Sequence, residues 1–221
     1  MDIVRAGDSD APLLVLAHGA GAGSGHPWMK KVARELAGRG VSVVTFDFPY
    51  ITGKRRVPDR GPVLEGAFQS AWVEGLKLAA SAGTRPRAFF AGGKSMGGRI
   101  ASQLAARGGF PPGLRGLIFF GYPLHPPGKA EQRRDAHLPN VDVPMLFMHG
   151  TRDPFGSSDE FADLLTRLPN ADIYSVEGGD HSLMTPKRSS DPAAFDHALD
   201  AAAAWIHRTA ERRASDGDPA R

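Results

Sequence analysis

The chain has 221 residues, 41% hydrophobic and 23% charged, and contains no cysteine. That length suits one domain burying roughly 70–75% of its unfolded surface, and the missing cysteines exclude disulfides, thiolate catalysis and Cys-ligated zinc. Lys plus Arg number 27 against 24 Asp plus Glu, a net +3 too small and too scattered to point to nucleic acid or an anionic membrane.

The first ten residues carry Asp2, Asp8, Asp10 and Arg5, unlike a secretory signal. The longest apolar runs fall far short of the roughly 18–20 residues of a membrane span. The expectation is a soluble protein of the cytoplasm. Strands are predicted at 13–17, 41–46, 87–91, 114–120, 143–149 and 173–176. Each is nearly continuous in apolar character, as strands covered on both faces are. Helices are predicted between them. One at 28–37 stops at Gly38, and one at 63–80 aligns Leu64, Phe68, Trp72, Leu76 and Ala79. A helix at 96–107 carries Ile100 and Leu104 and stops at Gly108, and another at 161–168 carries Leu164, Leu165 and Leu168. The last begins at Asp191-Pro192 and aligns Phe195, Leu199, Ala202 and Ile206. Such alternation predicts a mainly parallel sheet of six to seven strands with helices on both faces, in one domain over residues 1–212. A polar, frayed tail is expected at 213–221.

Ligands of such sheets sit beyond the carboxyl ends of the strands. After the strand predicted at 87–91 comes Gly92-Gly93-Lys94-Ser95-Met96-Gly97-Gly98-Arg99, then a helix. Gly93-x-Ser95-x-Gly97 is the nucleophile-elbow pattern, in which a serine sits on a strained turn and its neighbours must be tiny. With 27 glycines and 14 serines, chance yields about 0.2 such matches, so the placement between strand and helix carries the signal. A phosphate-binding loop ending at Gly93-Lys94-Ser95 fails because its first glycine would be Ala88.

A nucleophilic serine needs a base, and the base an orienting carboxylate. Of eight histidines, only His181 lies between the last strand and the last helix. Asp153, in the loop after the strand at 143–149, is the predicted acid; Asp180 and Glu177 compete with it. The order Ser95, Asp153, His181 is the one this kind of sheet uses. The oxyanion hole is assigned to the backbone N–H groups of Met96 and Ala20, with Gly19 or Gly21 open as the second donor. A dinucleotide fingerprint on Gly19, Gly21 and Asp47 lacks its last small residue, which is Ser24, and its helix start. His18 and His149 end strands before glycine, but no third ligand is evident and no metal is expected.

These residues resemble the α/β-hydrolase superfamily over roughly residues 10–210. More narrowly the chain resembles small dienelactone-hydrolase-like hydrolases without a cap domain. It is similar to a bacterial branch whose relatives include a testis-expressed protein and a subunit of a histone-acetyltransferase complex. That likeness rests on His18-Gly19-Ala20-Gly21, on Asp47-Phe48-Pro49-Tyr50 with Gly53-Lys54-Arg55-Arg56 and Pro58-Asp59-Arg60, and on Gly93-Lys94-Ser95-Met96-Gly97-Gly98-Arg99. It implies a single-domain α/β-hydrolase fold and a Ser-His-Asp triad. Dienelactone hydrolases use a cysteine nucleophile, so their substrate does not carry over. The 22 residues 121–142, with Pro123, Pro126, Pro127 and Pro139, leave room for a loop and one short helix rather than a lid. An open site for a small acyl substrate follows, with Gly19, Gly21, Tyr50 and Arg55 as candidate contacts. The expectation is an esterase or thioesterase requiring no cofactor, monomeric or dimeric; the alternative is a scaffold that keeps the fold without catalysis. Arg99 and the basic loop at 54–56 read as structural or solvated, and Trp28, Trp72 and Trp205 as core.

Overall fold

The computed structural model describes residues 1–186 and 191–215, the side chains of 213–215 excepted. Strands β1 (Asp2–Val4), β2 (Leu13–Ala17), β3 (Ser42–Phe46), β4 (Phe89–Lys94), β5 (Leu114–Phe120), β6 (Met145–Gly150) and β7 (Ala171–Val176) form one sheet in the order β1-β3-β2-β4-β5-β6-β7. All pairs are parallel except β1 with β3. The helices are α1 (Pro27–Gly38), α2 (Pro49–Thr52), α3 (Gly61–Ser81), α4 (Met96–Ala105), α5 (Ser158–Thr166) and α6 (Ala194–Ser215).

The unbroken apolar strands follow from burial on both faces. In β2, Leu13, Val15 and Ala17 join one core with Phe68 and Trp72 of α3, Ile100 of α4 and Phe161 of α5. Leu14 and Leu16 join the opposite core with Val32 and Leu36 of α1 and Leu199 and Ile206 of α6. Successive side chains of a strand point to opposite faces, so two cores require apolar residues at every position.

Several boundaries differ from the sequence expectation. β4 begins at Phe89 and continues through Gly92, Gly93 and Lys94, residues that read as a turn. Gly92 sits opposite Leu16 on one side and Ile118 on the other, and a Cβ there would stand 1.9 Å from the Ile118 carbonyl oxygen. The glycine thus belongs to a strand squeezed between its neighbours. β6 starts at Met145; Pro144, which has no N–H to donate, still accepts from Leu117 N–H at 2.9 Å. β7 begins two residues early, at Ala171. β1, α2 and a 3-10 turn at Leu138–Asn140 are too short to show a period. α5 starts at Ser158 behind a capping box of Ser157 and Glu160. α6 starts at Ala194 rather than at Asp191, whose Oδ1 instead accepts from Ala193 N–H in the preceding turn. It runs through 215, into the stretch expected as tail; residues 216–221 lie outside the described residues. Between β5 and β6 the described chain forms loops and the 3-10 turn, with no inserted lid.

The fully buried Phe119 of β5 meets Tyr122 and Phe147 at ring-centroid distances of 5.2 and 4.9 Å. Phe119→Ala is expected to cost about 3–5 kcal/mol. Urea unfolding reads this, and a loss under about 1 kcal/mol would contradict so tight a layer.

Candidate active site

The turn from β4 into α4 places Ser95 at φ 50° and ψ −115°, a conformation L residues rarely adopt, costing on the order of 1–3 kcal/mol. The surroundings impose it. Ser95 N–H donates to the Phe120 carbonyl at 3.0 Å, and Ser95 C=O accepts from Arg99 N–H at 3.2 Å. A Cβ on Gly97 would stand 2.6 Å from His18 O, and one on Gly93 2.7 Å from Ala17 O. Only glycine allows that approach. Although Ser95 is the N-cap of α4, its side chain makes no capping hydrogen bond, so the helix does not use its hydroxyl.

The loop after β7 carries His181. Asp180 Oδ1 accepts from the N–H groups of Ser182 and Met184, at 2.7 and 3.0 Å, and folds the loop on itself. Trp28 Nε1–H donates to Ser182 O at 3.0 Å, and the Lys94 ammonium donates to His181 O. Burial lowers the Lys94 pKa to about 8 against the opposing pull of Asp153 and Asp180. The Phe155 ring lies 4.2 Å from the His181 ring at 31°. Lys94, Trp28 and Phe155 are thus parts of the site that sequence reading missed. Lys94 occupied a variable position of the elbow pattern, Trp28 a helical stripe. Phe155 sits two residues after Asp153 with no motif around it.

Asp153 serves two purposes. Its Oδ1 accepts from Phe155 N–H at 2.9 Å, closing the turn after β6, and its Oδ2 is 2.8 Å from His181 Nδ1. The Asp153 side chain is fully buried and the His181 side chain 21% exposed. A carboxylate only accepts, so His181 Nδ1 carries a proton, which in the neutral ring leaves the lone pair on Nε2. Nε2 is buried and has no hydrogen-bond partner among the described residues. The competing acids are engaged elsewhere, Asp180 by its own loop and Glu177 by the Thr151 hydroxyl at 3.3 Å. Ser95 and His181 flank the end of β5: Ser95 bonds Phe120, and a Cβ on Gly121 would lie 3.2 Å from His181 Nδ1. No hydrogen bond joins the Ser95 hydroxyl to His181 among the described residues.

The loop after β2 is fixed from below. His18 Nδ1–H donates to Gly19 O at 2.7 Å and its Nε2 accepts from Phe48 N–H at 3.0 Å. Burial lowers its pKa, keeping the ring neutral. Tyr50, fully buried, donates to the carbonyls of Gly19 and Ala20, at 3.2 and 3.0 Å. In trans peptides this aims the Ala20 and Gly21 N–H groups away from Tyr50. Tyr50, predicted as a substrate contact, shapes this loop from inside. Asp47 accepts from Ser24 N–H at 2.6 Å, so the acid of the dinucleotide reading is tied into this same loop. Met96 N–H, first in α4, has no acceptor within the helix. Arg55 is held by Asp59 in a bidentate pair at 2.6 and 3.0 Å. No cluster of three metal-ligating side chains occurs among the described residues, and no helix among them is long and apolar enough to cross a membrane.

A cavity of about 290 Å³ borders the His181 loop at Asp180 and Met184, and one of about 560 Å³ opens at the amino ends of β5–β7 against α6; neither is lined by Ser95.

A family model described as an alpha/beta hydrolase domain matches residues 10–210. Among solved structures, Est1E from Butyrivibrio proteoclasticus with ferulic acid bound is similar at TM-score 0.69 and 14% identity, covering 94% of each chain. A dienelactone hydrolase from Anabaena variabilis is similar at TM-score 0.68 and 19% identity, over 93% of this chain and 89% of that one. The propionate-bound esterase Est2 from Thermogutta terrifontis is similar at TM-score 0.67 and 20% identity, over 93% and 88%. At these identities the likeness is one of fold.

Burial lowers the pKa of His149, fully buried with both ring nitrogens unpartnered among the described residues, and of His18. Below pH 6.5 the unfolded chain binds protons that these folded histidines refuse, so stability falls as pH drops and levels off above 6.5. His149→Leu is expected to flatten this acid limb in urea unfolding followed from pH 7 to 5; an unchanged slope would contradict the assignment.

Proposed function

The chain belongs to the alpha/beta hydrolase domain family, and on that premise we propose that it is a serine hydrolase cleaving a carboxylic ester or thioester. The observation that carries the reading is the imidazole of His181, with Nδ1–H on a buried carboxylate and Nε2 left with an unused lone pair. That is the tautomer a general base needs. In this mechanism Ser95 Oγ attacks the substrate carbonyl while Nε2 takes its proton. Asp153 holds the imidazolium that forms. The N–H groups of Met96 and Ala20 receive the developing oxyanion. The tetrahedral intermediate collapses, and the leaving alcohol or thiol departs with the proton from Nε2. Water then attacks the acyl-Ser95 ester, gives its proton to Nε2, and the second collapse releases a carboxylic acid and returns the proton to Ser95. The ferulic acid bound to Est1E and the propionate bound to the Thermogutta terrifontis esterase are of the class such a reaction releases.

Strain at Ser95 supports the reading, because a hydroxyl held out of reach of its own helix is available for attack. One observation favours the non-catalytic alternative, the missing hydrogen bond between Ser95 and His181. Bonds of this kind are often long before substrate is seated and tighten in the reacting complex.

A fluorophosphonate probe separates the two readings. One adduct per chain is expected on the unsubstituted protein and none on Ser95→Ala. Ser95→Ala and His181→Ala should each lower kcat at least about 10³-fold on any ester turned over. A folded protein that takes no label would instead favour the scaffold.

A further inference from the structure

Among the described residues, two arginines beside the same edge have no acid to answer them. Arg99 stands one helical turn beyond Ser95 on α4, and Ser95, Arg99 and Ser102 share one stripe. Arg134 lies in the stretch after β5. Hydrogen bonds fix both backbones. The Ser102 hydroxyl donates to Arg99 O at 2.9 Å and lies 2.8 Å from His137 Nε2. Tyr122 OH donates to Arg134 O at 3.0 Å. The same stretch reaches the His181 side of the edge: Arg134 N–H bonds Leu124 O at 2.8 Å, and His125 N–H bonds the carbonyl of Phe155, whose ring packs on His181.

Both side chains are partly buried. Among the described residues, Arg99 Nε is buried with no partner and its Nη1 reaches only the Gln103 amide oxygen, at 3.4 Å. Arg134 makes no side-chain hydrogen bond or ion pair among the described residues. Neighbouring carboxylates are taken: Asp135 by Arg133 and Arg167, Glu65 by Arg107, and Glu160 by His125 and Arg133. Burial and, after it, the charge of Arg99 lower the Arg134 pKa, and the same two causes push His137 down to about 4. Half-buried like charges without counter-charge are costly, and guanidinium forks match a carboxylate in shape and charge.

We propose that Arg99 and Arg134 form a subsite for a carboxylate carried by the substrate, making the preferred substrate an anionic ester. This rests on the hydrolase reading above. The test compares kcat/KM for 4-nitrophenyl hydrogen glutarate with that for 4-nitrophenyl butyrate, and for 4-acetoxybenzoate with phenyl acetate. The unsubstituted protein is expected to prefer the charged member of at least one pair. In Arg99→Gln and in Arg134→Gln that ratio should fall roughly ten- to a hundredfold, chiefly through KM, and Arg99→Lys should restore part of it. Fluorophosphonate labelling of Ser95 in each variant checks that the site is assembled. Turnover with no preference for charge, or a preference that survives both substitutions, would overturn the subsite and leave the hydrolase reading standing. If no ester is turned over, glutarate is titrated into the protein by NMR. Shifts that vanish in Arg99→Gln would support the subsite while the hydrolase reading fails, and their absence in the unsubstituted protein would overturn it.

Discussion

The close approach of β2 and β4 to the first turn of α4 is the constraint on which the site depends. Gly93 and Gly97 have backbone within 3 Å of where a side chain would begin, and Ser95 between them is held at positive φ. A Cβ at either glycine would push the helix off the sheet and relax the serine. The strain at Ser95 is small beside the burial of two apolar layers, so the sheet dictates the turn. The same geometry leaves Met96 N–H without an acceptor at the point where the turn ends.

Around that turn, polar groups hold loops that would otherwise move. Lys94 points back under the His181 loop, Trp28 reaches the next carbonyl, and Asp180 ties the loop to itself. His18 and Tyr50 do the same for the loop after β2. The imidazole stands on a scaffold of backbone bonds, with Asp153 at its Nδ1 edge and the tilted Phe155 ring against it. In the proposed reaction, pre-set orientation of this kind replaces the reorganisation that water would require.

Much of the fold was legible because its strands are buried on both faces, which writes a continuous apolar run at β2 and β5. β4 was misplaced because Gly92 and Gly93 signal a turn locally, while their real constraint is β5 lying against them. β1 and α2 are too short to carry a period. For the site, the elbow glycines are a local signal, while Ser95, Asp153 and His181 were proposed from their order along the chain; the structure sets Asp153 against His181. Asp153 over Asp180 followed from chain connectivity, since a residue adjoining His181 struggles to turn back onto its ring. The roles of Lys94, Phe155 and Tyr50 come from contacts between segments up to 87 residues apart, and no spacing rule encodes them. Arg99 read as structural because its lack of an acidic partner among the described residues shows only once the acids around it are seen to be engaged.

The central claim is that the Ser95 oxygen becomes covalently bonded to the acyl group during turnover. Rapid quenching of the protein with an activated ester, followed by mass spectrometry of its peptides, tests this most directly. The account requires an early burst of one leaving group per chain, with the acyl mass on the peptide that contains Ser95. Steady turnover with no acyl group on that peptide, or with the group on another residue, would contradict it.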